Sequence, residues 1–139
     1  MAHEFIPGQH VTVFRGIYVH HGIVAQPIDG VPHVAELAKP RDGGLVRIIP
    51  LEEFALGAVV RIIEHEDGLS YDAVLRNARI AAHWRPYDVL SWNCEHFARW
   101  CSTGKSTSRQ VTVAALALLA LAVTLGIMGR QRILRAVTA

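Results

Sequence analysis

The run Trp92-Asn-Cys-Glu-His-Phe97 gathers the side chains of this chain most able to do chemistry. Asn93 reads as a helix N-cap, which puts Cys94 at the first helical position. A sulfur placed there faces free backbone N–H groups and the positive end of the helix dipole. Both favour the thiolate, the form that attacks carbonyl carbon. Glu95 opposes this slightly. A cysteine nucleophile also needs a base, usually a histidine close in space and distant in sequence. His20, His21 and His33 lie far upstream on β-rich segments and are the candidates. Adjacent strand residues point to opposite faces, so only one of His20 and His21 can face Cys94. A second histidine can orient the base, as a third group does in triads generally.

The remaining reactive types read as structural. Cys101 follows Cys94 near the same helical face and is expected to pack. His96 lies two residues past the nucleophile, points elsewhere, and is expected to make a structural hydrogen bond. His3, His10, His65 and His83 read as surface or edge residues. No Cys-x-x-Cys or His-Glu-x-x-His spacing occurs, so the histidines do not form a zinc pattern. Trp84, Trp92 and Trp100 flank the Cys94 helix as core residues that also suit a membrane interface. Tyr87 is expected to pack beneath that helix.

Several short elements must position these groups. Val11–Phe14 and Ile17–Val24 are β-rich runs separated by Gly16. Pro27, Asp29, Gly30 and Pro32 form a turn cluster, and Val31–Val34 follows as a third strand. Lys39–Gly44 is a loop, Leu45–Ile49 a strand, and Pro50 opens a short helix with acids in its first turn. Val59–Glu64 reads as a strand and Asp67-Gly68 as a turn. Ser70 reads as the N-cap of a helix over Tyr71–His83, with apolar residues at 71, 74, 75, 78 and 82. The last short helix starts at Asn93 and ends at Gly104. Strands first and helices later predict an α+β fold with a small antiparallel sheet packed on helices.

Taken in order, Pro7-Gly-Gln-His-Val-Thr-Val-Phe-Arg15, Tyr18-Val-His-His-Gly-Ile-Val24, His33 and Tyr87-Asp-Val-Leu-Ser-Trp-Asn-Cys-Glu-His-Phe97 resemble the lecithin:retinol acyltransferase-like domain. That family includes phospholipase/acyltransferases and is related to the NlpC-type cysteine hydrolases, which implies a permuted papain-like arrangement. The resemblance covers roughly residues 7–104 and implies a catalytic domain over residues 1–105. It matches Cys94 to the nucleophile, His20 to the base and His33 to the orienting histidine. The local frame His-His-Gly-Ile selects His20, whereas counting twelve residues back from His33 selects His21. The family usually continues Gly-Ile-Tyr-Val-Gly-Asp, and this chain has Gly-Ile-Val-Ala-Gln-Pro instead. The implied chemistry is acyl transfer from a phospholipid ester through a thioester on Cys94, to water, an amine or an alcohol, with no metal or other cofactor. A cysteine amidase or peptidase with the same dyad, and a non-catalytic module keeping the fold, are the competing expectations.

From Gln110 to Gly129 the chain carries no Asp, Glu, Lys, Arg or His. Five Leu, three Val and one Ile in Val111–Met128 favour insertion into a bilayer by roughly 3–5 kcal/mol. The length, at about 1.5 Å per residue, matches a bilayer core of about 30 Å. Residues 106–139 are therefore expected to form a membrane anchor with basic flanks, Lys105 and Arg109 before it and Arg130, Arg132 and Arg135 after it. With no basic or apolar leader in the first residues, the expectation is a single-pass tail anchor with a cytoplasmic N-terminal domain.

Composition sets the outer bounds. With 139 residues the chain has room for one domain and a tail. A hydrophobic share of 51% against 19% charged excludes a disordered chain. A net charge of +2 gives no general bias toward nucleic acid. Two cysteines do not make a secreted disulfide framework. The expected partners are thus a phospholipid substrate and a membrane, with neither nucleic acid nor metal.

Overall fold

The computed structural model describes residues 4–137, with side chains as far as residue 131. His3 and the side chains of Arg132 and Arg135 lie outside the described residues. The elements run β1 (His10–Phe14), β2 (Val19–Ile28), β3 (Val31–Leu37), β4 (Val46–Pro50), α1 (Leu51–Ala55), β5 (Arg61–Ile63), α2 (Tyr71–Ala81), α3 (Cys94–Thr103) and α4 (Arg109–Val137), with a 3-10 turn at Pro40–Asp42. The chain divides after Ser108 into two units. The first is the α+β unit, and the second is built on α4.

The five strands form one sheet in the order β4-β3-β2-β1-β5, and every neighbouring pair is antiparallel. Asp29 and Gly30 close the β2–β3 hairpin, both at positive φ (50° and 75°), the backbone that a two-residue hairpin turn demands. β2 runs on through Pro27, which the sequence reading assigned to the turn. The register shifts between Ala25 and Ile28, and an irregular ladder tolerates a residue without an N–H.

Strand alternation builds two faces. Val13 pairs with His20 and Val11 with Gly22; Gly22 pairs with Glu36 and Val24 with Val34. Val11, Val13, Val24 and Val34 thus share one face with His20 and Glu36, and Phe54 of α1 and Ile49 pack into it. Gly22 lies beneath Phe54. A Cβ there would collide with Val34 Cγ1 and stand 3.0 Å from Phe54 Cε2. The opposite face carries Ile23, Ala35 and Leu37, against Val74 and Ala78 of α2, Phe97, Ala98 and Cys101 of α3, and Trp92.

His10 is not the edge residue that the sequence suggested. β5 pairs outside β1, so β1 is an inner strand and His10 is buried. Ser70 does precede α2, but its side chain makes no capping hydrogen bond. In the second unit, the stretch Arg109–Gln131 of α4 is long and apolar enough to cross a membrane.

Candidate active site

α3 begins where the sequence indicated because Asn93 caps it twice over. Its Oδ1 accepts the N–H groups of Glu95 (3.0 Å) and His96 (3.1 Å). The His96 Nδ1 in turn accepts the Asn93 N–H at 3.3 Å, completing a capping box. His96 therefore makes a structural bond, as its position implied. Gly104, at φ 74°, closes the helix. Cys94 is buried at the first helical position, with its Sγ 4.0 Å from the Val19 carbonyl oxygen.

The residue after Val19 is His20. Its Nε2 lies 2.6 Å from Glu36 Oε2, and the two side chains are only 8% and 5% exposed. Glu36 Oε1 accepts from Arg47 Nε at 2.8 Å and Nη2 at 2.7 Å. The other ring nitrogen of His20, Nδ1, is buried without a hydrogen-bond partner of good geometry. Burial pulls the His20 pKa down, but the interactions with the Cys94 sulfur and the Glu36 carboxylate outweigh it and raise the value to about 9. Burial pushes the Glu36 pKa up, yet His20 and Arg47 hold it below the ordinary carboxylate value. At neutral pH the pair is an imidazolium held by a carboxylate, with the free edge of the ring left to Cys94.

Of the adjacent histidines, His20 is the one brought to Cys94. His21 faces the other side of the sheet, where its Nδ1 lies 2.8 Å from His10 Nε2. His10 Nδ1 lies 2.9 Å from His65 Nε2. Burial lowers the His21 pKa to about 4, against an opposing pull from Glu95. Burial and its histidine neighbours also hold His10 well below its ordinary value.

His33 is not brought to the site. It pairs with Ala25 and Pro50, on the face opposite His20, and its Nδ1 donates to the Val31 carbonyl at 2.8 Å. Glu36 stands where an orienting histidine was expected. Strand parity explains this: residue 36 shares the face of residues 20 and 22, and residue 33 does not. A signal for Glu36 was present, since a carboxylate inside the apolar run Val34-Ala35-Glu36-Leu37 would be buried only with a partner.

Tyr87 packs against the core cluster under α3 and donates its N–H to the Gly44 carbonyl at 2.7 Å. Burial and the charge at Cys94 both raise its phenol pKa. Cys101 is fully buried in the same cluster, and burial alone pushes its thiol pKa up. The three tryptophans cluster with their planes steeply inclined, Trp84 4.9 Å from Trp92 and 4.7 Å from Trp100 between ring centroids.

A family model described as lecithin retinol acyltransferase matches residues 3–107, nearly the whole of the first unit. The chain belongs to the lecithin retinol acyltransferase family. Mouse lecithin retinol acyltransferase is 35% identical over 71 residues, which take in 47% of this chain and 30% of the mouse protein. The chain thus matches less than a third of that relative's length. The family match ends at residue 107, before α4, whose stretch Arg109–Gln131 has the length and composition of a membrane-crossing helix.

Proposed function

We propose that this chain is a membrane-anchored thiol acyltransferase or phospholipase A acting on phospholipid acyl esters. The observation that carries the reading is the row Cys94, His20, Glu36, drawn from α3, β2 and β3. Glu36 takes the Nε2 proton of His20 as a hydrogen-bond partner, which fixes the tautomer and leaves Nδ1 to exchange a proton with Cys94. His20 and, after it, Arg47 hold the Glu36 pKa down against burial.

In this mechanism the thiol proton of Cys94 rests on His20. The thiolate attacks the ester carbonyl, an S–C bond forms, and the carbonyl electron pair moves onto oxygen. As that intermediate collapses, the ester C–O bond breaks and His20 gives its proton to the departing lysophospholipid oxygen. The acyl group rests on Cys94 as a thioester. Water, an alcohol or an amine then yields a proton to His20, attacks the thioester and releases the thiolate. The Asn93 side chain already occupies the Glu95 and His96 N–H groups. The Cys94 N–H is therefore the first-turn donor for the developing oxyanion. α4 would hold the nucleophile beside an insoluble substrate and raise its effective concentration.

The test is acyl transfer onto Cys94 itself. The chain in mixed micelles is incubated with a phosphatidylcholine carrying a tagged acyl chain, and intact mass is followed. A hydroxylamine-labile adduct that disappears in Cys94→Ser and His20→Ala is the expected result. No adduct, together with alkylation of Cys94 at the rate of an ordinary thiol, refutes the proposal.

A further inference from the structure

Large apolar side chains stand exposed near His20 and near the cap of the Cys94 helix, on turns or at the ends of elements. Ile17, at the tip between β1 and β2, is 96% exposed, and Phe14 at the base of that tip is exposed as well. Phe14 pairs directly with Val19, whose carbonyl touches the Cys94 sulfur. Leu90 and Val89 project from the turn before α3, at 70% and 61%. Asn93, the cap of the nucleophile's helix, donates from Nδ2 to the Val89 carbonyl at 3.0 Å. Leu56, at the end of α1, is 71% exposed and lies with Tyr18 and His20 in one cavity of about 160 Å³.

These turns are braced outward. Asp88 Oδ1 accepts the N–H groups of Leu90 and Ser91 and the Ser91 hydroxyl. Arg15 reaches from the β1–β2 tip to the Phe54 and Ala55 carbonyls at the end of α1. These bonds hold the turns in the form that exposes their apolar groups. Cations with aromatic support stand among them. Lys39 Nζ sits 3.9 Å above the centre of the Tyr18 ring. Arg85 lies over Trp92 at 5.0 Å and donates to the Ser91 carbonyl. Apolar tips interleaved with cations and an exposed Trp84 match a membrane interface, where apolar groups enter the acyl boundary and cations meet phosphate.

We infer that this end of the α+β unit is itself a docking surface for a phospholipid bilayer, with Ile17, Leu56 and Leu90 as its inserting tips. The purpose of the surface rests on the proposed lipid substrate: it delivers an ester directly to the Cys94 mouth. Its existence does not depend on that chemistry, because exposure and charge alone define it.

The experiment uses the 139-residue chain in nanodiscs of phosphatidylcholine and phosphatidylserine, and the same chain in amphipol. Amide hydrogen exchange at residues 15–18 and 89–91 is expected to slow in the nanodisc while the β2–β3 turn is unchanged. The paired variant Ile17→Glu, Leu90→Glu is expected to lose roughly tenfold in turnover of bilayer phospholipid. It should keep the parent rate on a water-soluble short-chain ester. Equal exchange in both media, or bilayer turnover in the variant within twofold of the parent, overturns the inference. So does a dimer in amphipol that the paired variant dissolves, since the tips would then meet a second copy. Failure of both proteins on the soluble ester refutes the proposed chemistry alone, because the exchange measurement still reads the surface.

Discussion

Replacing Glu36 by Gln keeps the shape of the side chain and removes its charge. His20 is held at a pKa of about 9 by Cys94 and Glu36 against the pull of burial. The His20 and Glu36 side chains are almost entirely shielded from water, so solvent screens the pair little. An opposite charge at this range lifts a pKa by about 1–3 units. In Glu36→Gln the His20 value should therefore fall to roughly 6–8, a loss of about 1.4–4 kcal/mol in favour of the imidazolium. The same pair contributes to folding. His20 is raised above its ordinary value of 6.5, so that contribution is complete below 6.5 and vanishes as pH rises through about 9. The assay is the pH profile of kcat/KM on a soluble short-chain ester, where the proposed mechanism needs His20 protonated to release the leaving alcohol. The parent should lose activity above pH about 9, and Glu36→Gln should lose it about 1–3 units earlier. An alkaline limb that stays in place while the rate falls would refute the reasoning, because Glu36 would then only support the sheet.

Other substitutions test the surrounding structure. Iodoacetamide followed by peptide mapping should modify Cys94 in the folded chain and leave Cys101 untouched until denaturant is added, since Cys101 is fully buried. Asn93→Ala removes two capping bonds and should destabilise the α+β unit by about 1–2 kcal/mol in thermal unfolding. That substitution should also slow Cys94 acylation, whereas Ser70→Ala, which removes no capping bond, should leave stability nearly unchanged. Gly22→Ala drives a methyl into Val34 and Phe54 and should cost about 1–3 kcal/mol by the same measurement.

The elements were legible wherever local chemistry sets them. Alternation in Val11–Phe14, the Asp29-Gly30 turn, the apolar period from Tyr71 and the Asn93 cap each determine structure within a few residues. The placement of Cys94 at the first position of α3 was legible for the same reason, because it depends on the cap beside it. The carboxylate beside His20 was not. Choosing between His33 and Glu36 requires the register of β2 against β3, a pairing that no local signal displays. His10 was misplaced for a related reason: Val59–Glu64 reads as a strand, but its pairing outside β1, which buries His10, is again a register that no local signal displays. Ile17 read as the first residue of a strand, whereas β2 begins at Val19 and leaves Ile17 exposed in the turn before it.

The row His65, His10, His21 has a direction. A neutral imidazole has one donor and one acceptor nitrogen. His10 contacts a neighbour through both of its nitrogens, so it donates one way and accepts the other. Reversing the row requires all three rings to exchange tautomers together. The unit therefore contains a small two-way dipole, running from half-exposed His65 to buried His21 on β2. Burial disfavours a proton on His10 and His21, so a proton taken up at the outer ring is not passed inward and the row keeps its neutral, oriented form.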